Sequence, residues 1–170
     1  MNVMTYDFYG TWSGATGLVS PLFQDPDDPQ QAGSVKTSMD LYENLSGVPI
    51  AKLNIGTPFY GYEWHGVDML WGQCSACASS SQNYAPYIKQ RLNRQNWKWK
   101  LDGTAEAPYL INSMAPGFIT YDGPASTARK GDYVKKRGFG GVFMWELSAD
   151  YDGHSQDLLN AMYNEWTSSR

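Results

Sequence analysis

Three segments of the chain each end an apolar run on aromatic and acidic side chains. NVMTYDFYGTW carries Tyr6, Asp7 and Trp12; GTPFYGYEWHGV carries Tyr60, Tyr62 and Trp64; GGVFMWELSAD carries Trp145, Glu146 and Asp150. Tyrosine and tryptophan combine a flat apolar face with a polar tip, which suits stacking on sugar rings and also suits protein interfaces. Carboxylates beside such faces accept hydrogen bonds from hydroxyl or amide groups. Aromatics make up 15% of the chain, with 7 Trp and 12 Tyr, and many fall in Gly-, Ser- or Pro-rich stretches where cores are not built. If the three runs are neighbouring parallel strands, the three clusters share one mouth at the C-terminal sheet edge, where ligands of α/β proteins sit.

Other chemistries are poorly supported. Cys74 and Cys77 form a lone C-x-x-C, and His65 and His154 are the only histidines. No second pair completes a zinc site, so a loop disulfide or two unpaired thiols is the better reading. No metal and no cofactor are expected. A formal charge of -4 and a pI near 5.0 give no footprint for a phosphate backbone, so no nucleic-acid partner is expected. No apolar run approaches the ~18 residues needed to cross a bilayer, and the first residues lack the order of a signal peptide.

The elements that must position these residues alternate between strand and helix patterns, an α/β organisation. The 170 residues are enough for one compact unit. The opening strand leads into a Gly/Pro/Ser/Asp-rich surface loop. SVKTSMDLYENLSG predicts a helix capped by Ser34, with Val35, Met39, Tyr42 and Leu45 on one face and Gly47 as its stop. IAKLNIGTPFYGYEW predicts one mostly apolar strand, completing a βαβ unit. From Trp64 to about Tyr121, a Cys/Ser loop, a helical YAPYIKQRLNRQ and the strand-like NWKWKL, APYLIN and GFITYD read as an inserted α+β subdomain with antiparallel strands. A helix over Ser126–Arg137 closes at Gly138, and its Lys135, Lys136 and Arg137 lie favourably at the negative end of the dipole. GGVFMWEL predicts a buried parallel strand. SQDLLNAMYNEW, capped by Ser155, predicts a closing helix.

The same residues carry a family resemblance. NVMTYDFYGTW, GTPFYGYEWHGV and GFGGVFMWELSADYDG resemble the sixth, seventh and eighth strands of the (β/α)8 barrel of glycoside hydrolase family 18, the chitinases. The YLIN...GFITYD stretch resembles the α+β chitinase insertion domain found between strands seven and eight. The resemblance covers nearly the whole chain. It implies a partial TIM barrel of three βα units: strands six and seven over residues 1–62, the insertion over 63–121, and the last helix-strand-helix over 122–170.

It also implies an activity: retaining, substrate-assisted hydrolysis of β-1,4-linked N-acetylglucosamine polymers. Tyr6 and Asp7 would then act at the cleavage point, Tyr6 donating to the substrate acetamide and Asp7 bonding sugar. Trp145 would floor the acetamide-bearing sugar, Met4 would pack beneath the acetamide, and Trp12 would be a platform on the leaving-group side. Tyr60, Tyr62, Trp64 and Glu146 complete the expected binding set. Where the family commonly has arginine after PFYG, this chain has Tyr62. The family's acid motif D-x-x-D-x-D-x-E is absent from these 170 residues. Because a barrel takes about 250 residues, the resemblance implies a C-terminal part whose open sheet edges meet an N-terminal barrel segment or a second copy. Chitin or its oligosaccharides are the expected ligands, and secretion is expected from the family alone.

Overall fold

The computed structural model describes residues 1–168 other than 46 and 113. In chain order the elements are β1 (Asn2–Val3), α1 (Val35–Leu45), β2 (Asn54–Pro58), β3 (Tyr60–His65), β4 (Ser79–Asn83), α2 (Lys89–Leu92), β5 (Trp97–Asp102), β6 (Ala107–Asn112), β7 (Gly117–Tyr121), α3 (Pro124–Arg137), β8 (Gly141–Trp145) and α4 (Asp157–Thr167). A π-helical turn over Tyr84–Ile88 leads into α2.

The strands form two sheets of different kind. One is parallel, in the order β1-β2-β8; the other is antiparallel, in the order β4-β3-β7-β6-β5. The run from Ile50 to Trp64, expected as one strand, is divided between them. A 3-10 turn covers Ile50–Lys52, β2 ends at Pro58, and β3 starts at Tyr60 in the other sheet. Phe59 is the joint. Its N–H donates to the Trp145 carbonyl at 2.7 Å, and its own carbonyl accepts from Tyr84 N at 3.0 Å. The opening strand has two residues, because beyond Val3 it is the Thr5 side chain and not its backbone that meets β2, at Gly56. The antiparallel reading of NWKWKL, APYLIN and GFITYD matches β5, β6 and β7. The serine-rich stretch gains a strand, β4, that no apolar pattern announced.

Helices α1 and α3 cover one face of the parallel sheet. Ser34 caps α1 as expected: its Oγ accepts from Thr37 N at 3.1 Å, while Thr37 Oγ1 accepts from Ser34 N at 2.8 Å. Val35 and Met39 are buried with Leu53, Ile55, Val134 and Phe139, but Tyr42 and Leu45 are exposed, so the buried stripe is only the first half of the expected one. α3 starts after Gly123, whose N–H donates to Ser126 Oγ at 3.0 Å, and ends at Gly138 with a φ of 77°. Under α3, Lys130 donates to Asp122 and, at 2.5 Å, to Ser20 Oγ; Asp122 also accepts from Thr57 Oγ1 at 2.9 Å and Ser126 Oγ at 2.8 Å. This ion pair is fully buried, and burial lowers the Lys130 pKa. Its polar atoms are matched by hydroxyls, which is the condition for a charge pair to be tolerated in a core.

Two expectations at the C-terminal end are corrected. β8 is only half-buried, and Trp145 is exposed, because among the described residues no strand lies on its outer side. Ser155 does not cap α4. Instead the buried carboxylate of Asp150 accepts from Leu158 N at 3.1 Å and Leu159 N at 2.9 Å. Asp150, grouped above with the strand-end residues, is therefore a helix cap directed into the fold.

The loop between β1 and α1 is tied down along its length. Thr16 N bonds Gly72 O at 2.9 Å, Val19 N bonds Thr120 Oγ1 at 2.8 Å, and Leu22 N bonds Ala105 O at 2.9 Å. The loop thus fastens the parallel sheet to the antiparallel one, and brings the segment after β1 against β3. Among the described residues no helix is long and apolar enough to cross a membrane.

Candidate functional site

The site begins where β1 ends. Thr5 is clasped to β2: its Oγ1 donates to Gly56 O at 2.7 Å and accepts from Gly56 N at 2.9 Å, while its carbonyl accepts from Ser20 Oγ at 2.6 Å. These bonds fix the backbone one residue before Tyr6. A Cβ on Gly56 would stand 2.7 Å from the Tyr6 ring and 2.8 Å from Phe143. Position 56 is therefore glycine because the two rings lie over it, edge to face with centroids 6.3 Å apart. Tyr6 meets Tyr60 in the same manner at 6.2 Å.

Asp7 follows with a φ of 64°, a left-handed backbone that non-glycine residues rarely adopt. This turn presents its carboxylate to β3. Oδ1 accepts from Tyr60 OH at 2.5 Å and from Tyr62 OH at 2.9 Å. No other bond to Asp7 occurs among the described residues, so Oδ2 on this exposed residue is open to a ligand. Burial and the Asp7 charge both raise the pKa values of Tyr6, Tyr60 and Tyr62. All three phenols are held in the protonated, hydrogen-donating form.

Aromatic rings extend the site outward from Asp7. Trp12, 61% exposed, stands perpendicular to Tyr62 at 5.5 Å, and Tyr62 meets Tyr60 at 5.8 Å. Trp12 also lies over Gly10, where a Cβ would fall 2.3 Å from its ring. Across β2, Gly56 pairs with Phe143 and Pro58 with Trp145. Strand alternation puts Trp145 on the face that carries Phe143, the face Tyr6 covers. Trp145 is 60% exposed.

The structure thus brings together Tyr6, Asp7, Trp12, Tyr60 and Tyr62, with Trp145 at the same sheet edge, at the end of β8 on the far side of β2. Met4 is exposed just before them, so it is not core filling. Glu146 is exposed and accepts from Ser148 Oγ at 2.6 Å. Trp64 is the correction. At 1% exposure it packs on Phe118 and Tyr62 in the core of the second sheet and has no open face for a ligand. Two contributors escaped the sequence reading, Phe143 and Gly56. A glycine inside a strand pattern is a signal for close approach of another group. Cys74 and Cys77 are joined as a disulfide beside Trp64.

The chain is an α/β protein with a carboxylate, phenols and open tryptophan faces gathered at the C-terminal edge of its parallel sheet, the edge where ligands of such proteins sit. Residues 1–150 match the model of glycosyl hydrolases family 18, and the chain belongs to that family. It is 32% identical to Chitinase A1 of Niallia circulans over 95% of this chain and 25% of that protein. With Chitinase C of Streptomyces lividans the identity is 35%, over 88% of this chain and 24% of the relative. Among solved structures, a glycoside hydrolase family 18 N-acetylglucosaminidase from Paenibacillus barengoltzii superposes with a TM-score of 0.85 at 30% identity, covering 96% of this chain and 48% of that one. The chain spans about a quarter of the length of these two curated relatives.

Proposed function

We propose that this chain is the C-terminal part of a chitinase: the last three βα units of a (β/α)8 barrel, with the antiparallel sheet as the insertion domain. The division into residues 1–62, 63–121 and 122–170 goes with this reading, and the change of sheet at Phe59 favours a first boundary close to that residue. The observation that carries the proposal is the placing of Tyr6 and Asp7 after β1 and of Trp145 at the end of β8, along one edge of the β1-β2-β8 sheet, with the Tyr6 ring reaching Phe143 of β8.

The substrate is a β-1,4-linked N-acetylglucosamine polymer. Its own acetamide oxygen attacks the anomeric carbon, and the leaving oxygen takes a proton from a general acid. Tyr6, kept protonated, donates its hydroxyl to the acetamide as charge develops there. Asp7 accepts from the sugar through Oδ2, while Tyr60 and Tyr62 hold its other oxygen. Trp145 floors the acetamide-bearing sugar, with Met4 and Glu146 at the rim. Trp12 offers its open face on the leaving-group side. The acid itself comes from a complementing barrel segment, since the D-x-x-D-x-D-x-E motif is absent from these 170 residues. Secretion follows from this reading, because the polymer lies outside the cell.

The test is complementation with an upstream family 18 segment that carries the acid. Chitin hydrolysis is expected, and Tyr6→Phe in the complemented protein should lower kcat by about a hundredfold. Undiminished turnover in that variant would remove Tyr6 from its role. A second reading is a non-catalytic chitin-binding module, for which the open faces of Trp12 and Trp145 suffice. Binding of the chain to chitin beads, lost in Trp145→Ala and accompanied by no cleavage on complementation, would select it.

A further inference from the structure

Successive residues of a strand point to opposite faces of the sheet. Glu63 therefore faces away from Tyr60, Tyr62 and Trp64, and there it stands on the floor of a cavity of about 260 Å³. Glu63 is 2% exposed. Its Oε2 accepts from Tyr87 OH at 2.6 Å and from Gln82 Nε2 at 3.4 Å, and His65 Nε2 lies 3.9 Å away. No donor is bonded to Oε1 among the described residues. Oε1 is thus left to accept from a group in the cavity.

The walls supply the complementary groups. Trp97 and Asn96 line the cavity together with Arg91 and Arg94. Arg91 lies over the Tyr87 ring at 3.8 Å, and neither arginine makes an ion pair among the described residues. The site thus offers an acceptor at the bottom, planar donors at the mouth and aromatic rings at the side. A free anion is disfavoured by the Glu63 charge beneath it, and a metal cation by the two guanidinium groups above. A hydroxyl is both donor and acceptor, so a polyhydroxylated ring meets both sets at once. The volume lies below the range of pockets for drug-sized ligands and suits a single ring rather than a chain.

We propose that this cavity is a second saccharide site, holding one sugar unit on the face of the antiparallel sheet opposite the Tyr6–Asp7 cluster. A ring hydroxyl donates to Glu63, and Arg91, Arg94 and Asn96 donate to ring and hydroxyl oxygens. The test is an amide and indole NMR titration of the full chain with N-acetylglucosamine. Saturable shifts are expected at Arg91, Arg94, Asn96 and the Trp97 indole, with Arg94→Ala weakening binding at least tenfold. Arg94 is exposed, so this variant is expected to fold; Glu63→Gln, which keeps the side chain's shape, should weaken binding likewise. Absence of shifts at these residues in the folded wild type would overturn the proposal. So would shifts that survive Arg94→Ala unchanged, or shifts produced by inorganic phosphate and not by the sugar. Signals from Tyr6, Asp7 and Trp145 report the other site in the same spectra, so failure of one reading is distinguishable from failure of the other.

Discussion

A methyl group at position 56 would enter the space that Tyr6 and Phe143 share, at 2.7 and 2.8 Å. Neither ring can withdraw easily, since Tyr6 also leans on Tyr60 and its backbone follows the Thr5–Gly56 clasp. Gly56→Ala should therefore cost about 1–3 kcal/mol and shift the Tyr6 ring resonances. A thermal melt with tyrosine side-chain NMR checks both, and unchanged values would mean that the ring has room to move. A glycine within a strand pattern announces that something comes close, but which ring comes close depends on β1 lying beside β2. The tryptophans show the same limit. Trp12 and Trp64 sit in similar aromatic company in the sequence, yet one is 61% exposed and the other 1%. Exposure is a property of what packs against a ring, and for Trp64 that is Phe118, 54 positions away.

Helix α4 illustrates what an element draws from outside itself. Its first N–H groups have no partner within the helix, and the expected cap, Ser155, instead bonds Lys89 Nζ and Asp157. Asp150 reaches in from the preceding 3-10 turn and takes two of them. Asp150→Ala should lower stability by about 0.5–2 kcal/mol, read as a lower urea midpoint with an unchanged slope; an unmoved midpoint would show that the cap is dispensable. The pattern of α4 was legible because its periodicity is local. The cap was not, because it comes from a residue seven positions before the helix. Similarly, β2 and β3 read as one run because both are buried and apolar. Their separation rests on Phe59 bonding Trp145 on one side and Tyr84 on the other.

At the scale of the molecule, both outer strands of the parallel sheet pair only with β2 among the described residues, leaving a free edge there on β1 and another on β8. Beside β8, Val142, Leu159, Met162, Tyr163 and Trp166 line an apolar groove, with Tyr163 65% and Trp166 50% exposed. Free edges and open apolar surface recruit further strands and chains. The isolated chain should therefore associate as its concentration rises, by light scattering, and an acid-bearing barrel segment should suppress that association. A cooperatively melting monomer at all concentrations would contradict this. The sequence by itself determined the α/β alternation, the antiparallel middle strands, the start of α1, the end of α3 and the three motifs of the family, because each is written in neighbouring residues through periodicity, turn chemistry and caps. Only the tertiary structure decided which aromatics stay open, which carboxylate receives the two phenols, which one caps a helix and which one floors a second cavity. Those outcomes depend on contacts between residues tens of positions apart, and no local pattern encodes them.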